Sequence, residues 1–96
     1  MIALRGQEFN LLAFSAFRYA LGRQTYIVRD TVELLARQRD HLTDSRRSLM
    51  VREIQEAVDA GRAGGRGDAR MWLRLKEKLI EPNEPIDDLL DLLQEM

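Results

Sequence analysis

The residues of this chain that could do chemistry are few. Cysteine is absent and His41 is the only histidine. Nucleophilic catalysis would therefore have to pair His41 with Ser45 or Ser48, four and seven residues further on. A hydrolytic centre needs a base that faces a nucleophile and is oriented by a third group. His41 instead sits where a helix ends, across a turn from both serines. Asp87, Asp88 and Asp91 could imitate a carboxylate metal cluster, but their spacing places them on the polar face of one short helix, where they read as solvated surface. With one histidine and no thiolate, a structural zinc site lacks ligands. The glycine-rich run Gly61–Gly67, GRAGGRG, lacks both the Lys-Ser/Thr ending and the preceding strand of a phosphate loop. The sequence thus predicts a protein that is not an enzyme and uses no metal or cofactor.

Recognition is a better use of these residues. Arg37, Arg39, His41, Arg46 and Arg47 gather around one turn, and Arg suits planar, bidentate contacts. A helix-turn-helix would lay the second helix of that elbow in a DNA groove. The turn lacks the usual glycine, however, and the helix beyond it carries Glu53, Glu56 and Asp59. The charge balance is also uneven along the chain. All 15 basic residues and ten of the 16 acids lie in residues 1–80, which carry +5, while residues 81–96 hold six acids and no base. A basic body with an acidic tail leaves two outcomes open. The tail can neutralise the Arg-rich elbow of its own chain, or its acids can face a partner. The candidate partner-binding residues are Arg37, Arg39, His41, Arg46, Arg47, Asp87, Asp88 and Asp91.

The elements that position these residues are helical. With 96 residues, 45% of them hydrophobic and 32% charged, the chain has the size and composition of a single folded domain. Its longest uncharged run, Phe9–Phe17, is too short to span a membrane, and Glu8 spoils a signal-peptide reading. An intracellular, cytoplasmic setting is expected. Phe9, Leu12, Ala13, Ala16, Phe17 and Ala20 recur at three- and four-residue steps, and Leu11, Phe14 and Leu21 widen the stripe. A helix apolar on most sides is expected at the centre of its domain, with Gly22 ending it. A second helix is expected over Tyr26–Asp40, with Thr25 as its cap, Val28, Val32 and Leu35 on one face and Ile27 and Leu34 beside them, although Thr-Tyr-Ile-Val has strand propensity. Thr43 or Asp44 caps a third helix to Ala60, with Met50, Ile54, Ala57 and Val58 as its core face. Its charges run against the dipole, with Arg46 and Arg47 first and acids last. A fourth helix, capped by Asp68 and running over Ala69–Ile80, buries Met71, Trp72, Leu75 and Leu79. Pro82 stops it, and Pro85 opens a last short helix, Ile86–Gln94, which must dock to be stable. The expected fold is an all-α compact bundle of four to five helices around a central apolar first helix, residues 1–96 forming one domain with 81–96 as an acidic helix or tail.

The block Phe17–Val28, FRYALGRQTYIV, followed by VREIQEAVDAG (Val51–Gly61) and a Trp-containing segment (Met71–Leu75), resembles short proteins encoded by bacteriophages and prophages. The resemblance covers roughly residues 10–79 and carries no functional residue with it. It implies a bacterial host cell and a small protein that binds host machinery, anti-CRISPR inhibitors of host defence being one such group. The function expected is therefore non-enzymatic binding of a macromolecular partner, such as a CRISPR-Cas nuclease complex. The alternative is a helical DNA-binding regulator. A homodimer through the apolar first helix is compatible with either.

Overall fold

The computed structural model describes residues 6–21, 26–63 and 68–95. Among them the chain forms five α-helices and no strand: α1 (Gly6–Ala20), α2 (Tyr26–Arg37), α3 (Asp44–Asp59), α4 (Asp68–Ile80) and α5 (Asp87–Glu95). A single 3-10 turn, Arg39–His41, joins α2 to α3. No helix among the described residues is long and apolar enough to cross a membrane. The all-α bundle matches the sequence expectation, and the Tyr26–Val28 stretch is helical despite its strand propensity. Gly22, Arg23, Thr25 and Gly64–Gly67 lie outside the described residues, as does the Asp68 side chain expected to cap α4.

One cluster of buried side chains draws on all five helices, from Ala13 and Phe17 through Val32, Leu35, Met50, Ile54, Met71, Trp72 and Leu75 to Leu89 and Leu93. Burying a large aliphatic or aromatic side chain contributes about 1.5–3 kcal/mol, and α4 supplies the densest set. Met71, Trp72 and Leu75 are fully inaccessible, and Lys78 and Leu79 nearly so. This helix packs on α2, α3 and α5 and meets α1 through an edge-to-face contact of Phe17 with Trp72, ring centres 5.7 Å apart. The centre of the bundle is therefore α4. The expectation of a central α1 is corrected. Among the described side chains of α1, only Asn10, Ala13, Phe17 and Ala20 are buried, one narrow stripe at three- and four-residue spacing. Leu11, Leu12 and Tyr19 are 59%, 54% and 59% exposed. Leu34 of α2, beside the buried Val28–Val32–Leu35 face, is also exposed.

Two boundaries have clear local causes. The sequence expectation ran α2 to Asp40, but it ends at Arg37. The tighter 3-10 turn that follows brings both Arg39 and Leu42 to the inside, where they are buried. At the other end of α3, Gly61 takes φ +70°. The Arg62 N–H then donates to the Ala57 carbonyl at 2.7 Å and the Gly61 N–H to the Val58 carbonyl at 3.1 Å. That is a Schellman termination, in which glycine avoids the Cβ penalty of left-handed backbone.

Candidate interaction surface at the elbow and tail

The elbow is built from two sides. Thr43 caps α3, its Oγ1 accepting the Arg46 backbone N–H at 3.2 Å. The residue that holds this cap is Asn10 of α1, which is buried. Its Nδ2 donates to the His41 carbonyl at 3.0 Å, and its Oδ1 accepts the Thr43 N–H at 2.8 Å. One side chain thus satisfies two backbone groups in a turn that has no ladder of its own.

Arg39, only 8% exposed, runs inward beneath the segment between α4 and α5. Its Nε donates to the Pro82 carbonyl at 2.9 Å and its Nη2 to the Glu84 carbonyl, while Nη1 is buried without a partner. Arg47 ties the elbow together. Its Nη1 donates to the Leu42 carbonyl at 2.7 Å and the Arg39 carbonyl at 3.1 Å, and its Nη2 pairs with Asp44. Arg46 lies over the Phe14 ring, 5.1 Å from its centre, a cation–π placement. These contacts explain the reversed charge order of α3. Its first-turn arginines hold carbonyls and an aromatic face, and its late acids have partners too: Glu53 meets Arg18 at 3.7 Å and Glu56 meets Arg52 at 4.0 Å.

Of the expected elbow surface, Arg39 is withdrawn into the frame, and Arg46 and Arg47 are only partly accessible. Arg37 is exposed and pairs with Glu33 at 3.3 Å. His41 is exposed as well, its ring edge-on to Phe9 at 6.0 Å. Ser45 shares a 3.4 Å contact with Thr43 rather than with His41.

The tail docks on its own chain, and the elbow holds it by its backbone, not by its carboxylates. The acids find a different cation. Lys78, 1% exposed, places Nζ 2.9 Å from Asp88 Oδ1 and 3.7 Å from Glu84 Oε1. Arg74 adds a 3.3 Å contact to Asp88 Oδ2. The hydrogen bond from Lys78 holds the Asp88 carboxyl below the usual carboxylate range, outweighing the opposing effect of partial burial and helped by the charges of Lys78 and Arg74 and by the Leu89 N–H. Beneath this latch Leu89, Leu92 and Leu93 are buried, with Ile86 and Leu90 packed against the core. Asp87 and Asp91 stay exposed and form no ion pair among the described residues.

Charge at this end of the bundle is therefore sorted. Arg39, Arg47 and Lys78 point inward, whereas Asp40, Asp44, Glu81, Glu84, Asp87 and Asp91 are exposed. Beside them lies a groove lined by Asp44, Arg47, Ser48, Val51, Leu79, Ile80 and Pro82, with Ile80 exposed. No group of three or more His, Cys, Asp or Glu among the described residues could hold a metal ion. Sequence reasoning missed Asn10 and Lys78, although both sit in register with buried stripes, Asn10 with Ala13 and Phe17 and Lys78 with Met71 and Leu75. No protein-family model, curated protein or solved structure matches the chain.

Proposed function

We propose that this protein is a non-enzymatic binder that docks its acidic elbow–tail end on a basic surface of a nucleic-acid-handling protein. The observation that carries this reading is the sorting of charge: Arg39, Arg47 and Lys78 are drawn inward onto carbonyls and carboxylates, while carboxylates from the elbow and tail face outward. Such a face complements a protein surface built for phosphates and speeds encounter with it. The neighbouring groove, with Ile80, Leu79 and Val51, offers an apolar anchor point inside the charged rim. The resemblance of residues 10–79 to phage and prophage proteins makes a CRISPR-Cas nuclease complex in the bacterial cytoplasm the first partner to test.

The test is plasmid interference in cells carrying a CRISPR-Cas system. Expression of the protein should restore transformation by the targeted plasmid, and Asp87→Lys with Asp91→Lys should abolish that effect while leaving the fold intact by circular dichroism. Unchanged interference, together with duplex-DNA binding that weakens steeply with salt, would favour the DNA-binding regulator instead. That outcome is not expected, because Arg46 and Arg47 are engaged with Phe14, Asp44 and backbone carbonyls.

A further inference from the structure

The outward face of α1 belongs neither to the core nor to the acidic end. Its exposed positions are Glu8, Leu11, Leu12, Ser15, Arg18 and Tyr19. At 3.6 residues per turn these fall within a stripe about 120° wide. Of the five large hydrophobic residues exposed among the described ones, three, Leu11, Leu12 and Tyr19, lie on it. Charge is confined to its two ends, with Glu8 in the first turn and Arg18 in the last. A helix of 15 residues with an apolar middle and opposite charges at its ends is complementary to itself when turned end for end.

We infer that this face takes a second copy of the chain, α1 packing antiparallel on α1 about a two-fold axis near Ala13. Glu8 and Arg18 are equally far from Ala13 along the helix, so in this arrangement each Glu8 lies opposite the Arg18 of the other copy. Leu11 then lies opposite Ser15, a large residue against a small one, and does so twice by symmetry. Such an isologous contact repeats every favourable pair. Arg18 can turn to it, because its contacts, with Glu53 at 3.7 Å and over the Phe14 ring at 5.9 Å, lie at the surface, where its side chain is 65% exposed. One helix pair, roughly 22 Å long, buries less than the standard-size interface of roughly 1,600 Å². The dimer is accordingly one that dissociates on dilution.

The experiment is sedimentation equilibrium over a wide range of protein concentration at low salt. Wild type should shift from the mass of one chain toward that of two as concentration rises. Glu8→Arg and Arg18→Glu should each lose most of this association, since like charges then face one another at both ends. An equimolar mixture of the two variants should regain it, because every end contact becomes Arg against Glu again. Leu11→Ser with Leu12→Ser should also abolish it, with circular dichroism reporting an intact helical fold. A wild type that stays monomeric at every concentration overturns the inference. So does an association that survives Leu11→Ser with Leu12→Ser, or a mixture of charge variants that stays monomeric.

Discussion

Two helices with equal numbers of large apolar residues, α1 and α4, have exchanged the places their composition suggests. α1 carries one acid and one base in 15 residues, yet a stripe about a third of its circumference wide faces outward. α4 carries Asp68, Arg70, Arg74, Lys76, Glu77 and Lys78 among 13 residues, yet it lies at the centre. The difference is one of phase rather than amount. In α4 the large residues Met71, Trp72, Leu75 and Leu79 share one face, and the charged residues on its flanks are long enough to carry their heads to carboxylates or water. In α1 the large residues are dispersed around the helix, and only Phe17 among the fully buried ones is large. Centrality follows the width of a coherent stripe.

The strongest way to break this comparison is to empty the centre. Trp72→Ala should lower unfolding stability by about 3–5 kcal/mol, measured by urea denaturation followed by circular dichroism. That is a large share of the roughly 5–15 kcal/mol expected for a small domain. Next in size are the two groups that fasten the tail. Asp88→Ala removes the nearest partner of a buried ammonium and should cost about 2 kcal/mol, tempered by Glu84 and by the exposure of Asp88 itself. Arg39→Lys loses the fork that reaches both the Pro82 and Glu84 carbonyls and should cost a similar amount.

The Lys78–Asp88 latch also carries a pH signature. The folded-state pKa of Asp88 lies below its unfolded value. Its stabilising contribution is therefore complete above the ordinary carboxylate range and is lost as pH falls through the lower, folded value. Stability measured from neutral pH downward should fall less in Asp88→Asn than in wild type across that acid window; equal slopes would show that the latch does not respond to protonation. The smallest effect belongs to the outer face of α1. At dilute protein concentration, Leu11→Ser and Leu12→Ser should each change stability by no more than about 0.5 kcal/mol, although Leu→Ala in a core costs about 2–5 kcal/mol.

Much of this fold was legible before any coordinates. The stripe Met50–Ile54–Ala57, the Trp72–Leu75–Leu79 set and the short tail helix all follow from period alone. Thr43 was one of two residues, with Asp44, marked as the cap of α3 by their chemistry, and Thr43 is the one that caps it. The place of α1 was not legible, because a helix apolar on several sides fits both a centre and an interface, and only its neighbours decide between them. Arg39 and Lys78 were hidden for a related reason. A charged residue at a buried register reads as surface until the acceptors that satisfy it are known, and those acceptors are the carbonyls of Pro82 and Glu84 and the carboxylate of Asp88, far along the chain. The inward turn of Arg39 rests on those same distant carbonyls, whereas Arg47 turns in on the Leu42 and Arg39 carbonyls of its own elbow.

The most direct measurement of this arrangement is residue-resolved amide hydrogen exchange at dilute protein concentration. Slow exchange that requires global unfolding marks the most stable part of a fold. Amides of α4 between Met71 and Leu79 should be the slowest in the molecule, with those of α1 between Leu11 and Tyr19 clearly faster. Slowest exchange in α1, with α4 opening first, would contradict the placing of α4 at the centre.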